Sequence, residues 1–127
     1  MSGSKPDAQK TVRNKDESAA LSGYRIMWVM VLFDLPVGTK KERKAATKFR
    51  HALLDLGFEM SQYSVYLKFC AGKEQAEATG RRVETAMPAS GKVHFVQITD
   101  KQYENIRTYR GRKREPSPKN PSQFALF

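Results

Sequence analysis

The stretch Ile26-Met27-Trp28-Val29-Met30-Val31-Leu32-Phe33, closed by Arg25 on one side and Asp34 on the other, limits what the chain can fold into more than any other segment. Eight apolar residues in a row match a buried strand, fall short of a free-standing helix and cannot cross a bilayer. Side chains alternate along a strand, so Met27, Val29, Val31 and Phe33 point to one face and Ile26, Trp28, Met30 and Leu32 to the other. Both faces therefore need cover. The run stops at a carboxylate, Asp34, followed by the loop Leu35-Pro36-Val37-Gly38. Carboxyl ends of strands are where α/β proteins often place ligands and chemistry, which makes Asp34 the first candidate functional residue. Its plain alternative is a turn or cap aspartate.

After the loop, Thr39-Lys40-Lys41-Glu42 fits a capping box, and a helix is expected from Lys40 to Leu56. Ala45, Ala46, Phe49, Ala52, Leu53 and Leu56 make its apolar stripe. Lys40, Lys41, Arg43, Lys44, Lys48 and Arg50 are read as its basic outer face. Gly57 stands where a left-handed cap is commonly needed. Phe58 to Cys70 is aromatic and β-branched and is read as two short strands, bent or turned near Ser61-Gln62. A second helix is expected from Lys73 to Met87, with Ala76, Thr79, Val83, Ala86 and Met87 inward, ended by Pro88 and Gly91. Lys92 to Ile98 reads as a strand, Asp100 to Glu104 as a turn or short helical segment, and Ile106 to Tyr109 as a short edge strand.

The order strand, helix, strand, strand, helix, strand is the split βαβ pattern, so the expected fold class is α+β, a ferredoxin-like βαββαβ sandwich. Both helices of such a fold cover one face of the sheet, leaving the other face of the first strand bare. A core of about 80 residues is marginal alone, and each large apolar side chain left wet forgoes roughly 1.5 to 3 kcal/mol. A homodimer packed sheet to sheet is the simplest repair, and a two-fold axis there would bring two copies of one loop together. Residues 1–23 are read as a mobile N-terminal extension, 24–109 as the ferredoxin-like domain, and 110–127 as a basic tail ending in an apolar anchor, Phe124-Ala125-Leu126-Phe127.

Charge narrows the partners. The chain has 127 residues and a net charge of +10, from 23 Lys plus Arg against 13 Asp plus Glu, an excess that favours a polyanion, nucleic acid before anionic membrane. One cysteine, Cys70, can form no internal disulfide, and a small buried hydrophobe is its simplest role. A cytoplasmic protein is expected, since neither a signal-peptide core nor a membrane span is legible.

Several spaced motifs then occur in one order: Phe33-Asp34-Leu35-Pro36, Thr39-Lys40-Lys41-Glu42-Arg43-Lys44, Phe49-Arg50, Gly57-Phe58, Gln62-Tyr63-Ser64-Val65-Tyr66 and Thr99-Asp100-Lys101-Gln102-Tyr103. Over about Tyr24 to Arg110 the chain resembles the second, smaller universal CRISPR adaptation protein, a family also named CRISPR-associated endoribonuclease, in its type II variant. The resemblance implies a homodimer that bridges two dimers of the CRISPR integrase subunit and holds duplex DNA, the prespacer, for insertion as a new spacer. It also implies a metal-binding, catalytic aspartate at Asp34, with Mg²⁺ bound between two protomers. Many members carry tyrosine before that aspartate; this chain has Phe33, so no hydroxyl is available there.

Function has two readings. In the first, a DNA-binding scaffold meets phosphates with Lys40, Lys41, Arg43, Lys44, Lys48, Arg50, Arg110, Arg112, Lys113 and Arg114, while Phe124, Leu126 and Phe127 dock on the partner. In the second, a metal-dependent nuclease uses one Asp34 from each protomer, since Mg²⁺ takes oxygen ligands and one carboxylate per chain is a poor cage. His51 and His94 are possible bases, yet His51 falls on the basic helix face and His94 in a strand, and both are read as structural. The alternative to both is a stand-alone metal-dependent ribonuclease or an RNA-binding ferredoxin-fold module, with Tyr63 and Tyr66 stacking bases. Against the latter, no RNP-like Lys/Arg-Gly-Phe/Tyr pattern is present, and core or dimer packing is expected for both rings.

Overall fold

The computed structural model describes residues 27–121; Ile26, the extension 1–23 and the terminal Phe124, Leu126 and Phe127 lie outside them. The apolar run forms β1 (Met27–Asp34), which feeds through Leu35 to Gly38 into α1 (Lys40–Asp55). The helix starts where the capping box predicts. Thr39 Oγ1 accepts from the Glu42 amide at 3.1 Å, and Glu42 Oε1 accepts from the Thr39 amide at 2.9 Å. It ends at Gly57, whose φ of 96° is the left-handed conformation that closes a helix without a Cβ clash. Next along the chain come β2 (Glu59–Gln62), β3 (Val65–Cys70), α2 (Lys73–Thr85) and β4 (Lys92–Thr99).

The four strands lie in the order β2-β3-β1-β4, every neighbouring pair antiparallel, which is the ferredoxin-like arrangement. The break between β2 and β3 falls at Tyr63-Ser64, and the register slips between Met60 and Gln62. As the continuous apolar run implies, β1 is central. The core joins Val29, Val31 and Phe33 of β1 to Phe49 and Leu53 of α1, Phe58, Tyr66 and Cys70 near β3, and Ala76 and Val83 of α2. The apolar stripes are narrower than their spacing suggests. Ala45 and Met87 are exposed, whereas Ala46, Phe49, Leu53, Ala76, Thr79 and Val83 are buried.

Two corrections concern the chain beyond β4. The expected edge strand at Ile106 to Tyr109 does not join the sheet: among the described residues Tyr109–Arg110 (β5) pairs only with Lys113–Arg114 (β6), making a separate hairpin. The second face of the sheet is also not bare. Residues 100–104 form a short helix, α3 (Asp100–Glu104), with its own capping box at Thr99 and Gln102. Tyr103 of this helix stacks on Trp28, ring centroids 3.8 Å apart and planes 11° from parallel. Trp28 Nε1 donates to Asn120 Oδ1 at 2.6 Å, and Asn120 Nδ2 donates to the Asp100 carbonyl at 3.0 Å. Composition marks this segment as unable to enter a core, yet one amide side chain with both ends partnered is buried at no loss of hydrogen bonds.

The cover is partial. Phe69 and Val96 remain exposed on the second face. Between Met30, Leu32, Val65 and Leu67 below and Tyr109 and Pro118 above runs a groove of about 650 Å³.

Candidate functional site

Asp34 is the last residue of β1, and its carboxylate is exposed. Strand alternation puts it on the second face with Met30 and Leu32. Lys92 lies directly across from it on β4, and His94, paired with Leu32, is the next residue along on the same face. The turn before β4 fixes the approach. Gly91 has φ of 98°, and a Cβ there would stand 2.6 Å from Leu35 Cδ2 and 3.0 Å from the Asp34 carbonyl oxygen. Only glycine lets the chain pass so close to the end of β1.

A magnesium ion needs several oxygen ligands. No group of three or more His, Cys, Asp or Glu side chains among the described residues could hold a metal, and the residue facing Asp34 across the ladder is a cation. The described residues of one chain therefore do not provide a cage. Asp34 by itself offers a single carboxylate, fewer oxygen ligands than Mg²⁺ takes.

The basic surface is built within one chain. Lys40, Arg43, Lys44, Thr47, Lys48 and His51 surround a shallow depression along the outer face of α1, and all are exposed. Spacings of three and four put Lys40, Lys44, Thr47, Lys48 and His51 on one side of the helix, so their aliphatic stems line the depression while the charged ends reach water. His51 is a member of this surface, on the helix face where residue order places it. Arg43 Nη1 also donates to the Val37 carbonyl at 3.1 Å, tying the helix start to the loop after Asp34. Lys41 is exposed on another side of the helix.

Arg50 departs from the expectation of an outward phosphate contact. It is half-buried, its guanidinium carbon 4.1 Å from the Tyr63 ring centroid and 5.8 Å from that of Phe33. The second basic group is the hairpin β5-β6, where Arg110, Arg112, Lys113 and Arg114 are all exposed, and Arg110 Nε donates to Glu115 Oε2 at 2.7 Å. Of the two tyrosines expected to pack, Tyr66 is in the core at 2 % exposure, whereas Tyr63, in the turn, is 69 % exposed. An isolated aromatic next to a serine gives no hint in sequence of which turn position it takes.

Burial holds the Cys70 thiol above its ordinary pKa despite opposing effects from a Thr79 hydrogen bond and the Lys68 charge. It faces the Thr79 hydroxyl at 3.9 Å and stays a protonated core group, as expected. Burial, with the charge of Glu59 adding to it, raises the Tyr103 phenol in the same direction, so that the ring on Trp28 is neutral.

The family model described as CRISPR associated protein Cas2 matches residues 27–106, from the start of β1 to just past α3. The chain belongs to the Cas2 family. A protein from Paracidovorax avenae is 61% identical over 107 residues, covering 84% of this chain and 99% of that protein. One from Parvibaculum lavamentivorans is 50% identical over 101 residues, 80% of this chain and all of the relative. One from Flavobacterium psychrophilum is 45% identical over 107 residues, 84% and 93% of the two chains. Each carries the name CRISPR-associated endoribonuclease Cas2. The Cas2 match ends before the basic hairpin. No helix among the described residues is long and apolar enough to cross a membrane.

Proposed function

We propose that this Cas2-family chain is the scaffold subunit of CRISPR spacer acquisition: a homodimer that bridges dimers of the CRISPR integrase subunit and holds duplex prespacer DNA on its basic surfaces. The observation that carries this reading is the outer face of α1, where Lys40, Arg43, Lys44 and Lys48 border one depression that no carboxylate among the described residues lines. Cations so placed meet a phosphate backbone without reading sequence. The hairpin with Arg110, Arg112, Lys113 and Arg114 adds a second such surface. The exposed Phe69 and Val96 on the second sheet face support a sheet-to-sheet dimer, and Phe124, Leu126 and Phe127 supply an apolar end for the integrase subunit.

The test is salt dependence. If about four phosphates are neutralised, log K for a blunt duplex falls against log salt with a slope of roughly −3.6. Replacing Lys40, Arg43, Lys44 and Lys48 by alanine flattens that slope; an unchanged slope overturns the reading.

The relatives' name favours a second activity, phosphodiester cleavage. Asp34 from each of two protomers would hold Mg²⁺, which when bound supplies Lewis-acid stabilisation of phosphate charge. Asp34→Asn keeps the shape and loses the charge. It is expected to abolish Mg²⁺-dependent cleavage of RNA or DNA and to leave integration with the purified integrase subunit intact. Loss of integration in a normally assembled complex would overturn the scaffold reading in favour of a catalytic Asp34.

A further inference from the structure

Tyr63 is the most exposed of the large apolar and aromatic side chains of the described residues, at 69 %. It is nevertheless held in place. The Arg50 guanidinium lies 4.1 Å from its ring centroid, and the same guanidinium reaches Phe33 at 5.8 Å. Arg50 Nε is buried and has no hydrogen-bond partner among the described residues. A guanidinium set against two aromatic rings is positioned by those rings, and it positions them in return.

An aromatic ring has two faces. Arg50 occupies one face of Tyr63, and the large exposure leaves the other to solvent. We propose that Tyr63, backed by Arg50, is a stacking platform for an unpaired nucleobase of a single-stranded nucleic-acid segment. Every base has a π-face to offer, and single-strand binders combine such rings with cations that follow the backbone. Arg43 lies on the same flank of α1 as Arg50, seven residues earlier, which is about 10.5 Å along the axis at 1.5 Å per residue. Its guanidinium, which donates through Nη1 to the Val37 carbonyl and is exposed, is the cation this reading assigns to a neighbouring phosphate. The rim of the turn is polar, with Ser61, Gln62 and Ser64 as its neighbours. That suits a solvated strand better than a protein interface, whose centre is depleted of such groups.

The proposal rests on the nucleic-acid reading of the basic surface, and the two can fail separately, because bases inside a duplex are already stacked and cannot use the ring. The experiment measures fluorescence anisotropy of the full chain with three labelled probes at one salt concentration: single-stranded oligothymidylate, an abasic strand of equal length, and a blunt duplex. The wild-type chain should prefer oligothymidylate over the abasic strand by roughly 5- to 140-fold, the alanine-scan value of one base stack. Tyr63→Ala should erase that preference, with duplex affinity and the salt slope unchanged. Tyr63→Phe and Tyr63→Trp should retain it, which no loss of folding or of a phenolic hydrogen bond could imitate. Equal wild-type affinity for the two single strands overturns the proposal, as does a preference that survives in Tyr63→Ala. Binding of the duplex alone would leave the basic surface standing and refute the platform; binding of none of the probes would refute both.

Discussion

The two faces of β1 carry nearly the same amount of apolar side chain and have opposite fates. Val29, Val31 and Phe33 are sealed under α1 and α2, with both valines at 0 % exposure. Trp28, Met30 and Leu32 face a layer assembled from a five-residue helix, a hairpin and one asparagine. The first face is closed by packing. The second is closed by packing at one end, where Trp28 is 9 % exposed, and left as a groove at the other. Sheet faces covered by long amphipathic helices are sealed by area, whereas a short polar segment can cover only where its hydrogen bonds anchor it. The second face is therefore the one that still exposes apolar side chains, Phe69 and Val96 among them.

This contrast can be broken in three places. The largest effect is expected on the sealed face: Phe49→Ala removes a 1 % exposed ring that meets Phe33 edge-on at 5.3 Å. It should cost roughly 3–5 kcal/mol of stability in urea unfolding. A cost under about 1 kcal/mol would mean that the helix-covered face is not the core that holds the fold. Asn120→Ala should cost less, about 1–3 kcal/mol, by leaving the Trp28 indole N–H without its buried acceptor. Because Trp28 is the only tryptophan, its emission should shift to the red while far-UV dichroism stays constant. An unshifted spectrum would show that the carboxyl-terminal layer does not cover Trp28 in solution. The smallest effect on folding, within about 0.5 kcal/mol, is expected for Val96→Lys at an exposed position on the second face. Its effect on mass should be large: light scattering is expected to show a dimer for the wild-type chain and a monomer for this variant. A wild-type chain that scatters only as 14.5 kDa would refute the sheet-to-sheet dimer.

Val31 shows how easily the two faces are confused from sequence alone. Alternation along β1 states that Val31 and Met30 point apart, but it contains nothing about which of them meets the helices. By alternation alone, Val31→Lys is as good a test of dimerisation as any; at 0 % exposure under the helices it tests folding. The face is chosen by the handedness with which α1 returns across the sheet, a property of the whole chain path.

Much of the site was legible for local reasons. The capping box at Thr39 and Glu42, the end of the helix at Gly57 and the 3.6-residue spacing of Ala46, Phe49 and Leu53 together orient α1, so the exposed row Lys40, Lys44 and Lys48 is set by residue order. Asp34 at the end of β1 is set by the length of the apolar run. These features rest on interactions within about one helical turn or one strand, where sequence neighbours are spatial neighbours. Only the tertiary structure decided the rest. Trp28 and Asn120 are 92 positions apart and Arg50 and Tyr63 thirteen, and each pair meets because separate elements deliver it to the same place. Residues 110–121 have the composition of a solvated tail, and composition counts how much apolar surface a segment can bury by itself. It cannot count a hydrogen bond that a distant indole offers, and that bond is what seats Asn120 under the sheet.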